Sequence, residues 1–197
     1  MKYCFLLASI IFVHPLFSQD NQVNNNSHSI KFNSLSQIGL LNGDGGSSYD
    51  VQLINGIKKD KWAAGIGIGI DNYISRSVPL FIDLRRELNN QPNRPFIYAG
   101  AGLNFTWLNH IQKEQKGQPY STTPGLFVDA GLGYKVKMKN ASAFVISAGY
   151  SYKQSKEEVS PPFWIMPWPI PRPAENPNVE KLNSHFRRIA VRIGILI

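Results

Sequence analysis

The feature that most restricts how this chain can fold is a strict two-residue alternation, clearest in KWAAGIGIGID at residues 61–71. Trp62, Ala64, Ile66, Ile68 and Ile70 share one side of an extended chain, and Ala63, Gly65, Gly67, Gly69 and Asp71 share the other. Successive side chains of a strand point to opposite faces, whereas a helix would scatter the isoleucines around its circumference. The glycines also suggest a phosphate-cradling loop. Position 70 is isoleucine, so the G-x-G-x-x-G fingerprint is not met. No helical period follows to present an N-terminus to a phosphate.

The same alternation recurs. Eight segments read as strands: 30–42, 48–58, 61–73, 77–88, 95–108, 123–137, 141–153 and 184–197. Each approaches the ~9–11 residues that a tilted membrane strand needs. In 126–137, Leu126, Val128, Ala130, Leu132, Tyr134 and Val136 oppose Phe127, Asp129, Gly131, Gly133, Lys135 and Lys137. In 188–197, Ile189, Val191, Ile193, Ile195 and Ile197 oppose Arg188, Ala190, Arg192, Gly194 and Leu196. The first segment alternates poorly, which leaves its register open.

Connections after the second, fourth and sixth strands are short, as are those around 43–47 and 74–76. The long ones, 109–122 and 154–183, fall at one end of the predicted barrel. Residues 1–18 have the layout of a secretory signal peptide: Lys2, an apolar run, then small or polar residues near Ser18. The run is too short to span a membrane. Cys4 would leave with it, so the exported chain would carry no cysteine. Residues 19–29, rich in asparagine, read as a disordered polar leader.

The two faces differ in a way that decides the environment. A soluble barrel turns its apolar face inward, and a membrane barrel turns it out to lipid. The non-apolar face here is glycine and alanine with charges of both signs. Glycine suits a narrow interior, while on a solvated exterior it would contribute nothing to packing. Alternation therefore aims Asp71, Asp83, Arg85, Glu87, Asp129, Lys135, Arg188 and Arg192 at the lumen, where unpaired charges are costly and ion pairs are expected. Trp62 and Tyr134 lie at the short-turn end of the apolar face, and Trp107 and Tyr150 at the long-loop end. Two aromatic belts suit two membrane interfaces.

With AAGIGIG (63–69), AGAGLNF (99–105), DAGLGY (129–134), SAGYSY (147–152) and FRRIAVRIGILI (186–197), the chain resembles the small eight-stranded outer-membrane β-barrels of Gram-negative bacteria. That group includes the OmpA transmembrane domain, OmpX and OmpW. The resemblance covers residues 30–197 and implies an all-β, antiparallel up-and-down transmembrane barrel behind a cleaved signal peptide. One departure is the final residue: the family's assembly signal usually ends in an aromatic, and this chain ends in Ile197. No peptidoglycan-binding segment follows the eighth strand, so a wall-anchoring role is not expected.

Chemistry-bearing constellations are sparse. The net charge of +8 invites a nucleic-acid reading, but no run of Lys or Arg exceeds two, and an exported chain rarely meets nucleic acid. Anionic lipid and lipopolysaccharide are the expected basic-surface partners. His28, His110 and His185 lack metal-site spacing, so no metal or other cofactor is expected. Ser184 and His185 are adjacent, and adjacent strand residues face opposite ways, which argues against a nucleophile–base pair. The segment 159–173, VSPPFWIMPWPIPRP, combines six prolines with Phe163, Trp164, Ile165, Met166, Trp168 and Ile170. Contiguous exposed apolar surface marks a contact site; folding back as a lid over the barrel mouth is the competing account. These readings define a non-enzymatic, monomeric envelope protein whose external loop contacts a protein partner or lipid. A small pore or carrier is the first alternative, and a lipid-modifying enzyme the second.

Overall fold

A computed structural model describes residues 30–43, 45–73, 76–107, 120–138, 142–159 and 180–197. Among the described residues, nine β-strands run in chain order: β1 Lys31–Gly43, β2 Gly46–Lys59, β3 Trp62–Asp71, β4 Ser77–Glu87, β5 Arg94–Thr106, β6 Tyr120–Thr123, β7 Gly125–Lys137, β8 Ala143–Val159 and β9 Glu180–Leu196. Every pairing is antiparallel. The sheet closes where β1 meets β9, from Leu35↔Leu196 to Gly43↔Arg188. Closure leaves no long unpaired edge.

β6 and β7 form one stave, so the barrel has eight. Pro124 separates them and has no N–H for the ladder. Thr123 pairs with Lys156, yet Phe127 pairs with Lys153, so the β6–β7 stave carries one extra residue there. This is a β-bulge at the rim.

All eight predicted strands form, including β1, whose register is now fixed. Leu35, Gln37, Gly39 and Leu41 point in, while Ile38 and Leu40 point out. Leucine on the inner side and Ser34 and Ser36 on the other blur its sequence pattern.

Two loop boundaries need correction. Residues 154–159 and 180–183, read as part of a 154–183 loop, are paired strand, as are residues 120–122 of the 109–122 loop. From Gln154 to Glu157 the β8 residues are polar on both sides, so the hydrophobic cue ends before the backbone ladder does. The signal segment, the polar leader and the segment holding Phe163, Trp164, Ile165, Met166, Trp168 and Ile170 lie outside the described residues, as does His110.

The exterior is apolar around the whole circumference. Ile66, Ile82, Leu132 and Ile189 are each more than 60% exposed, among many such residues. Inside, Leu35, Ile54, Phe81, Phe96, Tyr98, Phe127 and Val145 form a buried cluster. A sequence reading of the inner face as glycine, alanine and charge misses this aromatic filling. Glycine and aromatic residues face each other across the ladder: Gly67↔Phe81 and Gly133↔Phe96. A Cβ on either glycine would collide with the opposite ring.

Candidate functional site: the barrel lumen

Inward alternation alone places these side chains; their neighbours then decide their chemistry. Near the loop end, Asp71 at the end of β3 accepts hydrogen bonds from Arg188 Nη1 at 2.5 Å and Lys153 Nζ at 2.9 Å. Lys153 also donates to Ser77 Oγ at 3.0 Å, and Arg188 to Ser151 Oγ at 2.9 Å. The Tyr73 N–H donates to Asp71 Oδ1 at 2.9 Å and ties the strand end to the cluster. Leu41, Tyr73, Ala190 and Phe186 pack together there, with the Arg188 guanidinium 5.3 Å from the Tyr73 ring centre.

The middle layer centres on Arg192. Its Nε donates to Asp50 at 2.7 Å, and its Nη1 lies 2.7 Å from Asp129. Gln37 donates to Gln52, and Gln52 donates to Asp50, so four strands are joined by one chain of polar contacts. Arg188 and Arg192 are both 1% exposed. Two carboxylates around one guanidinium satisfy a charge that would be very costly to bury alone. The recess between these two layers leaves no room for a water molecule.

The aromatic layer follows, with Phe81 and Phe127 ring centres 5.1 Å apart. Below it, Arg85 Nε donates to Asp83 at 2.7 Å and the guanidinium lies 5.7 Å from the Phe96 ring centre. At the turn end, Glu87 receives Lys58, Arg94 and Lys135 at 2.5, 2.7 and 3.1 Å.

The eight inward charges therefore sort into four clusters rather than one network: Asp71 with Arg188, Asp129 with Arg192, Asp83 with Arg85, and Glu87 with Lys135. Sequence reasoning missed Asp50, Lys58, Arg94 and Lys153 as partners. Asp50, Lys58 and Lys153 lie on the inner face of their strands, so carrying the alternation further would have found them. Arg94 sits at the first residue of β5, beside a turn, where no pattern marks it.

His185 is exposed, and its Nδ1 bonds Tyr152 Oη. Ser184 pairs across the ladder with Ser155 and occupies the alternate face. Among the described residues, no group of three or more His, Cys, Asp or Glu side chains is placed to hold a metal ion.

The fold and its stacked interior define a class: a closed, eight-staved antiparallel barrel with an apolar outer wall and a filled lumen. Two solved structures share this architecture. Neisserial surface protein A, NspA, is 11% identical, with 86% of this chain and 98% of that one covered and a TM-score of 0.52. The outer membrane protein OprG from Pseudomonas aeruginosa is 14% identical, with 86% of this chain and 96% of that one covered and a TM-score of 0.52. No protein-family profile matches the chain, and no curated protein matches it.

Proposed function

We propose that this chain is an exported outer-membrane protein that acts without catalysis, as a scaffold of the cell envelope and surface. What supports the reading is one pairing of observations: an apolar outer wall around a lumen closed by two ion-pair layers and an aromatic layer. Lipid is the solvent that such a wall requires, and a closed barrel is one of the two backbone arrangements that satisfy every polar group in lipid. The turn end, with both barrel termini, then faces the periplasm, and the loop end faces outward. The Pro- and aromatic-rich segment that carries Phe163, Trp164 and Trp168 contacts a protein partner or lipid at that outer end. Membrane lipid and lipopolysaccharide surround the barrel, which works as a monomer. No cofactor takes part.

The test uses the purified full chain. It should fractionate with the outer membrane, migrate differently on a gel before and after boiling, and give no discrete conductance steps in a planar bilayer. Discrete steps would replace the sealed scaffold with a small pore or carrier. Removing residues 160–173 should abolish partner capture or lipid binding while the barrel stays folded. Unchanged adhesion, capture and lipid binding would end the contact role. Lipase or acyltransferase activity that disappears in His185→Ala would replace the scaffold reading with an enzyme.

A further inference from the structure

The turn end of the barrel opens into a shallow recess of about 30 Å³. Lys58, Lys61, Arg85, Glu87 and Lys135 line it, and Phe96, Val145 and Leu196 give it an apolar wall. Charge here does not balance. Lys58, Arg94 and Lys135 all converge on the single carboxylate of Glu87, which leaves two positive charges over. Arg85 is matched by Asp83. Lys61, in the β2–β3 turn, pairs with no carboxylate among the described residues and adds a third. Asp60, in the same turn, and the C-terminal carboxylate, held by the Ser34 N–H at 2.9 Å, are the other negative groups at this end, and the exposed Lys31, Lys59, Arg86 and Lys137 on the same rim more than offset them. Arg94 Nε is buried with no hydrogen-bond partner, so a donor in the cluster is unused.

Cations held this close repel one another, and the repulsion grows as water is excluded. An entering anion relieves it. A carboxylate would bring one charge and two oxygens. A phosphate monoester brings about −1.5 to −2 and three acceptor oxygens, which better matches a surplus spread over several ammonium and guanidinium donors. We propose that the mouth of this recess binds the phosphate group of a small anion, held between Lys61 and Lys135. The phosphate belongs either to a free ester or to a lipid headgroup at the nearby membrane surface; the chemistry of the site is the same. The inference holds whatever the outer loops contact.

The full chain, folded in uncharged detergent, is titrated with phenyl phosphate, and in nanodiscs with phosphatidylglycerol against phosphatidylcholine. Phenyl phosphate should bind saturably, phenol should not, and binding should weaken at least about tenfold in Lys61→Gln combined with Lys135→Gln and fall with added salt. The single Lys61→Gln variant leaves the Glu87 cluster intact and should show a smaller loss in the same direction. Lysine-dependent preference for phosphatidylglycerol without phenyl phosphate binding would assign the phosphate to lipid and also support the site. If neither probe binds, or if binding is indifferent to both variants in barrels that still show heat-modifiable migration, the inference is overturned.

Discussion

Gly67 on β3 lies directly across the ladder from Phe81 on β4, and the Phe81 ring fills the space that a side chain on Gly67 would take. Gly133 on β7 and Phe96 on β5 repeat the relationship two staves further round. Each ring of the buried lumen cluster has a glycine on one side of its ladder: Phe81 faces Gly67, Phe96 faces Gly133, Tyr98 faces Gly131 and Phe127 faces Gly102. The lumen is thereby packed without strain.

Gly67→Trp should therefore block barrel assembly, and Phe81→Ala should destabilise the barrel by about 3–5 kcal/mol through lost burial and a residual cavity. Refolding yield scored by gel migration reads the first, and the urea midpoint reads the second. Gly46→Ala is the matched control. Gly46 has φ +95° with nothing near its Cβ direction, so only backbone strain of about 1–2 kcal/mol is expected.

Arg192→Ala should cost about 3–5 kcal/mol, because Asp50 and Asp129 are left facing each other unpaired. Arg192→Met combined with Asp50→Asn and Asp129→Asn should recover most of that loss. A triple variant as unstable as Arg192→Ala would show that the cost arises from packing rather than charge.

At the rim, Gly125 follows Pro124 within the bulge, and a Cβ there would meet the Gln154 carbonyl. Gly125→Val should loosen the short β6–β8 pairing while leaving the barrel wall intact. Amide exchange should accelerate at Thr122 and Thr123 and stay slow at Val145 and Ile146. Equal acceleration at all four would mean that the bulge supports the whole barrel.

The barrel was legible because the outer wall is so uniformly apolar: Ile66, Ile68 and Ile70 announce both a strand and its outward face. The inner face was legible only in part. Asp71 and Arg188 could be aimed inward from alternation, but they are 117 positions apart, and no local pattern shows that they meet. Phe81, between Pro79 and Asp83 on its face, and Phe96, beside Tyr98, were harder still, since a large aromatic reads equally as wall or filling until the opposite strand is known. The β8 and β9 extensions escaped notice because Ser155 and Glu157 continue the ladder in polar residues, where hydrophobic alternation no longer marks the strand.

The recess at the turn end was equally invisible in sequence. Lys58, Arg94 and Lys135 come from three different strands and are united only by Glu87.

The most direct test of the account is a spin label placed in turn at Ile66, Ile82 and Ile193, each introduced as a single cysteine in protein lacking Cys4 and reconstituted in a bilayer. All three positions face outward, Ile66 and Ile82 from the middle of their strands and Ile193 from the turn-end part of β9. The account predicts that molecular oxygen, which concentrates in lipid, relaxes each label strongly and that a water-soluble nickel chelate does not. Strong relaxation by the nickel chelate at all three would place the apolar wall in water and contradict the membrane barrel.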